Sequence, residues 1–170
     1  MKSVFLLSFF FILGFKAMAQ NKDTVVTDIL SGRPMLLGVC NREALKDTSF
    51  YWWFESEYDL YNVDTTSLEK LSGKMNDIKI TVVMGTWCSD SRREVPRLFK
   101  ILDFLKYPSD NVYMIMVGRD RKGKGNEADS LDIERVPTII FYRGGKELGR
   151  IIESPTVTLE KDMLKIIDPE

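Results

Sequence analysis

The residue in this sequence that is best suited to chemical reaction is Cys88, which follows Trp87 in the run 85–95. An apolar stretch, 80–84, leads into it, and an amphipathic helical pattern begins directly after it. Cys88 is therefore predicted at a strand-to-helix junction, where the first N–H groups of the helix favour the reactive thiolate. Three residues on, where a dithiol site needs its second cysteine, the chain has Ser91. The motif predicts a nucleophile for disulfides but omits the thiol that would release the product.

Composition excludes several other kinds of site. The chain has 24 basic and 25 acidic residues, so it offers no electrostatic footprint for nucleic acid or an anionic membrane. It contains no histidine, which excludes acid–base catalysis by imidazole. With only two cysteines in addition, a zinc or iron site is not expected. We therefore expect no metal and no cofactor.

Residues 1–19 have the pattern of a secretory signal peptide. Lys2 supplies a positive start, 4–15 is an apolar run, and Ala17-Met18-Ala19 fits a small-x-small cleavage site. The run is shorter than the roughly 20 residues that span a membrane, although an uncleaved anchor remains the alternative. We expect export to a periplasm or out of the cell, without stable membrane association after cleavage. Disulfides persist in such compartments.

The segment 20–61 is predicted as an N-terminal extension that packs on the domain. Its first residues, 20–27, are polar and expected to be mobile, and 29–37 suggests an irregular or short extended segment. A short helix is predicted over 41–46, with Asn41 as its N-cap. The aromatic run 50–54 could bind peptides, but packing of the extension is the favoured interpretation.

Residues 62–170 are predicted to form one domain with alternating helices and strands. Periodicity and turn signals predict helices over 65–74, 90–107, 126–132 and 156–167, and strands over 78–84, 111–117, 138–142 and 147–153. The long helix between the first two strands makes them parallel, and the Gly-Gly turn makes the last two a hairpin. The prediction is a mixed sheet of about four strands with helices on both faces.

Three features, taken in order, resemble the thioredoxin-like superfamily. Trp87-Cys88 stands at the strand-to-helix turn, and Pro96 follows eight residues later, where relatives kink the helix. Val136-Pro137-Thr138 opens the third strand as the family's cis-proline loop does, and 141–149 resembles the hairpin that follows. The resemblance implies a three-layer α/β/α fold over about 62–168. The chain as a whole resembles exported bacterial thioredoxin-like proteins with a W-C-x-D-S (CxxS) motif.

The resemblance also implies roles for four residues. Cys88 matches the attacking cysteine, and Trp87 matches the apolar shield of its thiol. Pro137 matches the cis-proline, and the preceding Val136 matches the residue whose backbone binds a peptide beside the sulfur. Together these residues form the expected catalytic and substrate-binding site.

Two positions depart from the family pattern. Ser91 replaces the second, resolving cysteine, and is expected to donate a hydrogen bond to the sulfur. Val82 stands where many thioredoxins bury an aspartate that manages the resolving proton. A mixed disulfide at Cys88 would then need an external thiol or reductase for its release. The resemblance thus implies thiol–disulfide exchange, of oxidoreductase or isomerase type, on cysteine-containing exported proteins.

Both cysteines leave alternatives open. Cys88 could be an inert buried residue, in which case Trp87 and Pro137 would serve a non-catalytic module that binds peptides or proteins. Cys40 could resolve a mixed disulfide from a distance or form a structural disulfide. A buried structural thiol is the favoured interpretation of Cys40, because nothing near it in the sequence marks it as activated.

Two basic stretches have ordinary interpretations. The loop 121–125 lacks the strand–loop–helix context of a phosphate-binding loop and is predicted to be solvated. The active-site helix carries three arginines, Arg92, Arg93 and Arg97, which are predicted to form mostly a solvated face. Arg92 could assist in binding an anionic ligand.

Overall fold

The computed structural model describes residues 24–169. The predicted signal peptide, 1–19, lies outside the described residues and stays a prediction. Across 24–169, no helix is both long and apolar enough to cross a membrane.

The described chain contains six strands and four α-helices, numbered in chain order. The strands are β1 Thr24–Thr27, β2 Pro34–Cys40, β3 Ile78–Met84, β4 Val112–Met116, β5 Thr138–Arg143 and β6 Lys146–Ile152. The helices are α1 Thr48–Leu60, α2 Thr65–Leu71, α3 Ser89–Phe104 and α4 Leu159–Ile167. Short 3-10 turns occupy Arg42–Lys46, Ser109–Asn111 and Asp129–Leu131.

All six strands belong to one mixed sheet, in the order β1-β2-β4-β3-β5-β6. β3 and β4 are parallel and joined through α3, while β5 and β6 form the expected antiparallel hairpin. The mixed α/β architecture is confirmed, with six strands rather than about four. The two additional strands come from the N-terminal segment, so the expected mobility of 20–27 is wrong for Thr24–Thr27.

One face of the sheet carries the main core. Alternate residues of β3 point to this face and are fully buried, since side chains alternate along a strand: Ile78, Ile80, Val82 and Met84. Side chains from all four α-helices contribute to the same cluster. The opposite face, at the carboxyl ends of β3 and β4, is covered by the segment 118–137. Regular helix there is limited to Asp129–Leu131, so the predicted helix over 126–132 is wrong.

α1 attaches the N-terminal segment to the rest of the chain. Asp47 caps it by accepting a hydrogen bond from the N–H of Ser49, and three aromatic residues at helical spacing are buried: Phe50, Trp53 and Phe54. Phe54 packs on Phe99 of α3 with ring centroids 6.0 Å apart. Three of the five aromatic residues of the run 50–54 are thus packed in the core, whereas Tyr51 and Trp52 are exposed. A helix was not predicted here because aromatic residues are weak helix formers, and tertiary packing decides.

Candidate active site

Cys88 is the N-cap of α3 and is only partly buried. Its N–H donates to the carbonyl of Gly85 at 2.9 Å, and its own carbonyl accepts from the N–H of Arg92 at 3.1 Å. The thiol makes no capping hydrogen bond, so the first-turn N–H groups of α3 are not consumed by it. A negative sulfur at this position is stabilised by the positive end of the helix.

The Val136–Pro137 peptide bond is cis and lies beside the sulfur. The Cys88 thiol donates to the carbonyl of Val136, with 3.2 Å between Sγ and the oxygen. The loop is fixed on its other side, because the N–H of Glu153 donates to the Pro137 carbonyl at 2.7 Å. The carbonyl oxygen of Val136 has a second lone pair, which leaves it able to accept a further hydrogen bond from a peptide N–H.

Trp87 packs beside Cys88 in the smaller core cluster on the face covered by 118–137. Its Nε1 donates to the carbonyl of Val117 at 2.9 Å, which fixes the indole against the end of β4. The guanidinium of Arg119 lies over the indole, 4.9 Å from the ring centroid. A Cβ atom on Gly85 would stand 2.5 Å from the indole nitrogen, so only glycine leaves room for this packing.

Ser91 is fully buried one turn into α3. Its hydroxyl accepts a hydrogen bond from the N–H of Gly85 at 3.3 Å. Among the hydrogen bonds of residues 24–169, none joins Ser91 to the sulfur, whose bond goes to Val136. The expected donation from Ser91 to the sulfur is therefore corrected: Ser91 fixes the loop that carries Cys88.

Thr86 and Arg92 hold the same loop from two directions. The fully buried Thr86 hydroxyl accepts from the N–H of Leu36 in β2 at 3.1 Å. The Thr86 carbonyl accepts from Nε of Arg92 at 2.5 Å, and the Arg92 guanidinium lies 5.8 Å from the centroid of the Trp53 ring. Nothing in the local sequence predicts the role of Thr86, because its partner lies 50 positions away.

The other two arginines of α3 are also engaged rather than merely solvated. Arg93 forms ion pairs with Asp90 at 2.8 Å and with the nearly buried Glu94 at 2.6 Å. Arg97 pairs with Glu57 of α1 at 2.9 Å. The predicted arginine face of α3 is thus partly exposed, and α1 and the buried Glu94 supply it with ion-pair partners.

Asp28 connects the turn between β1 and β2 to the site. It is 3% exposed, and its carboxylate accepts two hydrogen bonds from Arg119, at 2.9 and 2.8 Å. The bonds from Arg119, followed by the one from Ser31, hold the pKa of Asp28 well below its ordinary value. Arg119 is thus fixed over Trp87 by the N-terminal segment. No local pattern predicts this pair, because its two residues are 91 positions apart.

A cavity of about 200 Å³ opens beside the sulfur. It is lined by Trp87, Cys88, Arg121, Glu134, Arg135, Val136 and Glu153. Arg135 and Glu153 form an ion pair across 2.7 Å at its rim. The predicted solvated loop 121–125 therefore contributes one side chain, Arg121, to the site.

A larger groove, of about 810 Å³, lies between α2 and α4. None of the predicted site residues lines this groove. Four of the residues that do are lysines: Lys70, Lys74, Lys161 and Lys165. Volume alone therefore does not identify the site. In the chain from 24 to 169, no cluster of acidic residues and cysteines is arranged to hold a metal ion.

Cys40 occupies a different environment from Cys88. It is 5% exposed at the end of β2, in register with Met114 of β4, which is in turn in register with Val82 of β3. It therefore belongs to the main core, level with the middle of β3. Cys88 follows the carboxyl end of that strand, at the edge of the sheet.

Comparison with known proteins identifies related thioredoxins. No family model matches the chain. The thioredoxin-like protein R548 of Acanthamoeba polyphaga mimivirus is 29% identical over 80 residues, 47% of this chain and 56% of that protein. The mitochondrial thioredoxin O of Oryza sativa subsp. japonica is 27% identical over 100 residues, 57% of this chain and 55% of that protein. The fold is thioredoxin-like.

One solved structure superposes on most of this chain. A protein of unknown function from Pseudomonas aeruginosa superposes with a TM-score of 0.50 and 16% identity, over 74% of this chain and 78% of that one. The present chain spans just over half the length of the two thioredoxin relatives. These likenesses concern the fold and do not extend to activity, substrates or partners.

Proposed function

We propose that this protein carries out thiol–disulfide exchange on exported proteins through the single nucleophilic sulfur of Cys88. The observation that carries the proposal is the position of that sulfur. It is partly exposed at the N-terminus of α3 and lies 3.2 Å from the carbonyl that precedes a cis-proline. A peptide laid along Val136 would meet the sulfur directly. The thioredoxin names of the relatives support redox chemistry of this class.

The electrostatic surroundings support nucleophilic attack. The sulfur belongs to the N-cap residue of α3, and the Arg92 and Arg119 guanidinium groups are close enough to interact with its charge. Thiolates, rather than thiols, attack disulfides, and a cationic setting at a helix N-terminus favours them. Trp87 covers one side of the sulfur and leaves the cavity beside Val136 as the approach.

The exchange step is balanced without a cofactor. The Cys88 thiolate attacks one sulfur of a substrate disulfide, the substrate S–S bond breaks, and a mixed disulfide forms. The departing thiolate takes up a proton from solvent. Ser91 cannot attack the mixed disulfide, so a second thiol must release Cys88. That thiol belongs to the substrate itself, in isomerisation, or to an external thiol or reductase.

The position of Cys40 supports an external rather than an internal resolving thiol. Cys40 is 5% exposed and lies level with the middle of β3, whereas Cys88 follows the end of that strand. A thiol buried in the core would have to become exposed before it could attack a mixed disulfide at Cys88. Exchange through one active cysteine is therefore the mechanism we propose.

Export is part of the proposal and rests on the sequence of 1–19 alone. A secretory signal would deliver the mature chain to a periplasm or outside the cell, where proteins carry disulfides. The partners proposed are cysteine-containing exported proteins and an external thiol or reductase.

The proposal is tested by trapping mixed disulfides. Wild type, Cys88→Ala and Cys40→Ala are each incubated with a model disulfide and with envelope extracts, then acid-quenched and analysed by non-reducing gels and mass spectrometry. Adducts that are reducible, map to Cys88 and persist in Cys40→Ala support exchange. A partner that Cys88→Ala binds as well as wild type would show a non-catalytic binding module instead.

The role of Ser91 supplies a second test. Ser91→Cys places a thiol one helical turn from Cys88, where it can attack the mixed disulfide and form an internal disulfide. With no added thiol, we expect the reduced variant to convert a protein disulfide to its dithiol and to end with an internal disulfide between positions 88 and 91, while wild type stops at the mixed disulfide. Ser91→Ala, which removes the hydroxyl without adding a thiol, is the matched control and should also stop at the mixed disulfide.

A further inference from the structure

The cavity beside the Cys88 sulfur is small and is lined by four charged residues. Its volume is about 200 Å³, below the roughly 300–1,000 Å³ of sites for drug-sized ligands. Two of the charged residues are cations, Arg121 and Arg135, and two are carboxylates, Glu134 and Glu153. The lining therefore has no net charge, and the cavity suits a group about as large as one amino acid.

Two of these four charges already compensate each other. The guanidinium of Arg135 and the carboxylate of Glu153 form an ion pair at 2.7 Å. Within 24–169, neither Arg121 nor Glu134 takes part in an ion pair, although both line the same cavity. One cation and one carboxylate are thus left apart from each other at the opening beside the sulfur. A ligand that bears a carboxylate and an ammonium group can pair with both.

The backbone holds Arg121 in an uncommon conformation. Its φ is +62°, in the left-handed region that few residues other than glycine adopt. Hydrogen bonds fix the turn: the N–H of Arg121 donates to the Gly118 carbonyl at 2.9 Å, and the N–H of Gly118 donates to the Lys122 carbonyl at 2.9 Å. Glu153, which also lines the cavity, has a φ of +59°. Residues in such conformations cluster at binding and catalytic sites, where the surrounding structure maintains them.

We propose that this cavity binds disulfides that carry both a carboxylate and an ammonium group beside the reacting sulfur, as the disulfide of an amino thiol of the cysteine type does. The carboxylate pairs with Arg121 and the ammonium group with Glu134, which places the disulfide at the Cys88 sulfur. This inference rests on the proposed exchange function and specifies the charged groups that its reaction partner carries.

The exchange step remains balanced with such a partner. The Cys88 thiolate attacks one sulfur of the amino thiol disulfide, a new S–S bond joins that half to Cys88, and the old S–S bond breaks. The other half leaves as a thiolate and takes up a proton from solvent. In the same way, the thiolate of a free amino thiol can attack the Cys88 sulfur of a mixed disulfide and release the protein thiol. The cavity thus positions an external thiol where Ser91 supplies none.

Four small disulfides test the proposal. Each half of cystine carries a carboxylate and an ammonium group, each half of dithiodipropionate only a carboxylate, each half of cystamine only an ammonium group, and bis(hydroxyethyl) disulfide is neutral. The rate constant of Cys88 with each probe is divided by that of free mercaptoethanol, which corrects for intrinsic reactivity. We expect the corrected rate constant to be largest for cystine, with the excess shrinking as salt is added. A larger value for any other probe would contradict a site for two opposite charges.

Two variants locate the charged groups. For each variant, the corrected rate constants are divided by its own value for the neutral probe, which removes changes in the Cys88 thiol itself. We expect Arg121→Gln to slow the reaction of cystine and of dithiodipropionate about threefold, and not to slow that of cystamine. We expect Glu134→Gln to slow the reaction of cystine and of cystamine about threefold, and not to slow that of dithiodipropionate.

Matched variants separate contacts in the cavity from overall charge. Lys122→Gln removes the cation next to Arg121 in the chain, and Asp129→Asn removes an exposed carboxylate of the segment 118–137. Neither residue lines the cavity, so both variants should keep the preference for cystine. Equal effects of Lys122→Gln and Arg121→Gln, or of Asp129→Asn and Glu134→Gln, would assign the preference to net charge and overturn the proposed site.

Peptide disulfides distinguish two sources of the charged groups. Two peptides with blocked termini carry, beside their cysteine, either one glutamate and one lysine or two glutamines. A faster reaction of the charged peptide assigns the site to polypeptide substrates, and a preference confined to cystine assigns it to a free amino thiol; both support the proposed site. Equal corrected rate constants for all four small probes would overturn this inference alone. Absence of any Cys88-dependent reaction would instead overturn the exchange function.

Discussion

Cys88 and Cys40 are the only cysteines of the sequence, and the fold gives them opposite environments. Cys88 caps a helix at the edge of the sheet, is partly exposed, and contacts a backbone carbonyl that a substrate could also use. Cys40 lies within the sheet, 5% exposed, in a cluster of aliphatic and aromatic side chains. The same functional group is thus placed for reaction in one region and for packing in the other.

The contrast shows that the reactivity of a cysteine in this fold depends on its position relative to the end of a strand. A residue in the interior of the sheet, such as Cys40, has its backbone hydrogen-bonded to neighbouring strands, and the side chain of Cys40 lies in the core. A residue just past the strand end meets a helix N-terminus, loops and solvent. Sites in α/β sheets form at this edge for the same reason.

Alkylation of the native protein should separate the two thiols most strongly. We expect iodoacetamide to modify Cys88 about a hundredfold or more faster than Cys40, because Cys40 requires local opening of the sheet before it can react. Peptide mass spectrometry after timed quenching measures both rates in one sample. Comparable rates in the native state would show that burial does not distinguish them, and equal rates in urea serve as the control.

The next prediction concerns the space that Gly85 leaves for the indole of Trp87. Gly85→Ala would place a Cβ atom 2.5 Å from the indole nitrogen, so Trp87 must move away from Cys88. We expect a loss of up to about 3 kcal/mol in the free energy of unfolding, measured by urea denaturation, with a changed rate of Cys88 alkylation.

Gly125→Ala is the matched control for this substitution. Its Cβ atom would meet only the flexible carboxylate of Glu127, at 3.4 Å, so stability should change by less than about 0.5 kcal/mol. If Gly85→Ala were equally mild and left Cys88 unaffected, the close packing of Trp87 would not control the site.

The hydroxyl of Thr86 should have a smaller effect. Thr86→Val keeps the shape of the side chain but leaves the buried N–H of Leu36 without its acceptor. We expect a loss of about 1–2 kcal/mol in unfolding free energy and altered alkylation of Cys88, with Cys40 unchanged. Thr81→Val, at a partly exposed position of β3, is the control and should be nearly neutral. An unchanged Cys88 rate in Thr86→Val would show that β2 does not position the loop.

Local sequence patterns predicted the parts of this molecule that are built from local contacts. The strand, turn and helix around Cys88 follow from periodicity, and the β5–β6 hairpin follows from its Gly-Gly turn. The helix α1 was missed because its aromatic residues are stabilised by α3 rather than by propensity.

The connections that position the site were harder to predict, because they join distant parts of the chain. Thr86 bonds a residue 50 positions away, and Asp28 bonds Arg119 across 91 positions. Neither pair leaves a periodic or spacing signal. Ser91 lies in the predicted helix, but its hydroxyl accepts a hydrogen bond from the N–H of Gly85. The sequence could not indicate this partner.

The ion pair between Asp28 and Arg119 gives the last test, and its effect depends on pH. Because Arg119 holds the pKa of Asp28 below that of the unfolded chain, the charged pair stabilises the fold above about pH 4 and is lost as pH falls through the folded pKa. Asp28→Asn should therefore lower the urea midpoint at neutral pH, and the difference from wild type should narrow in strong acid. Asp129→Asn, at an exposed position, is the control. Since Arg119 lies over Trp87, Asp28→Asn should also change the alkylation rate of Cys88 and leave that of Cys40 unchanged. Equal changes at both cysteines would mean that Asp28 stabilises the whole fold rather than the region around Cys88.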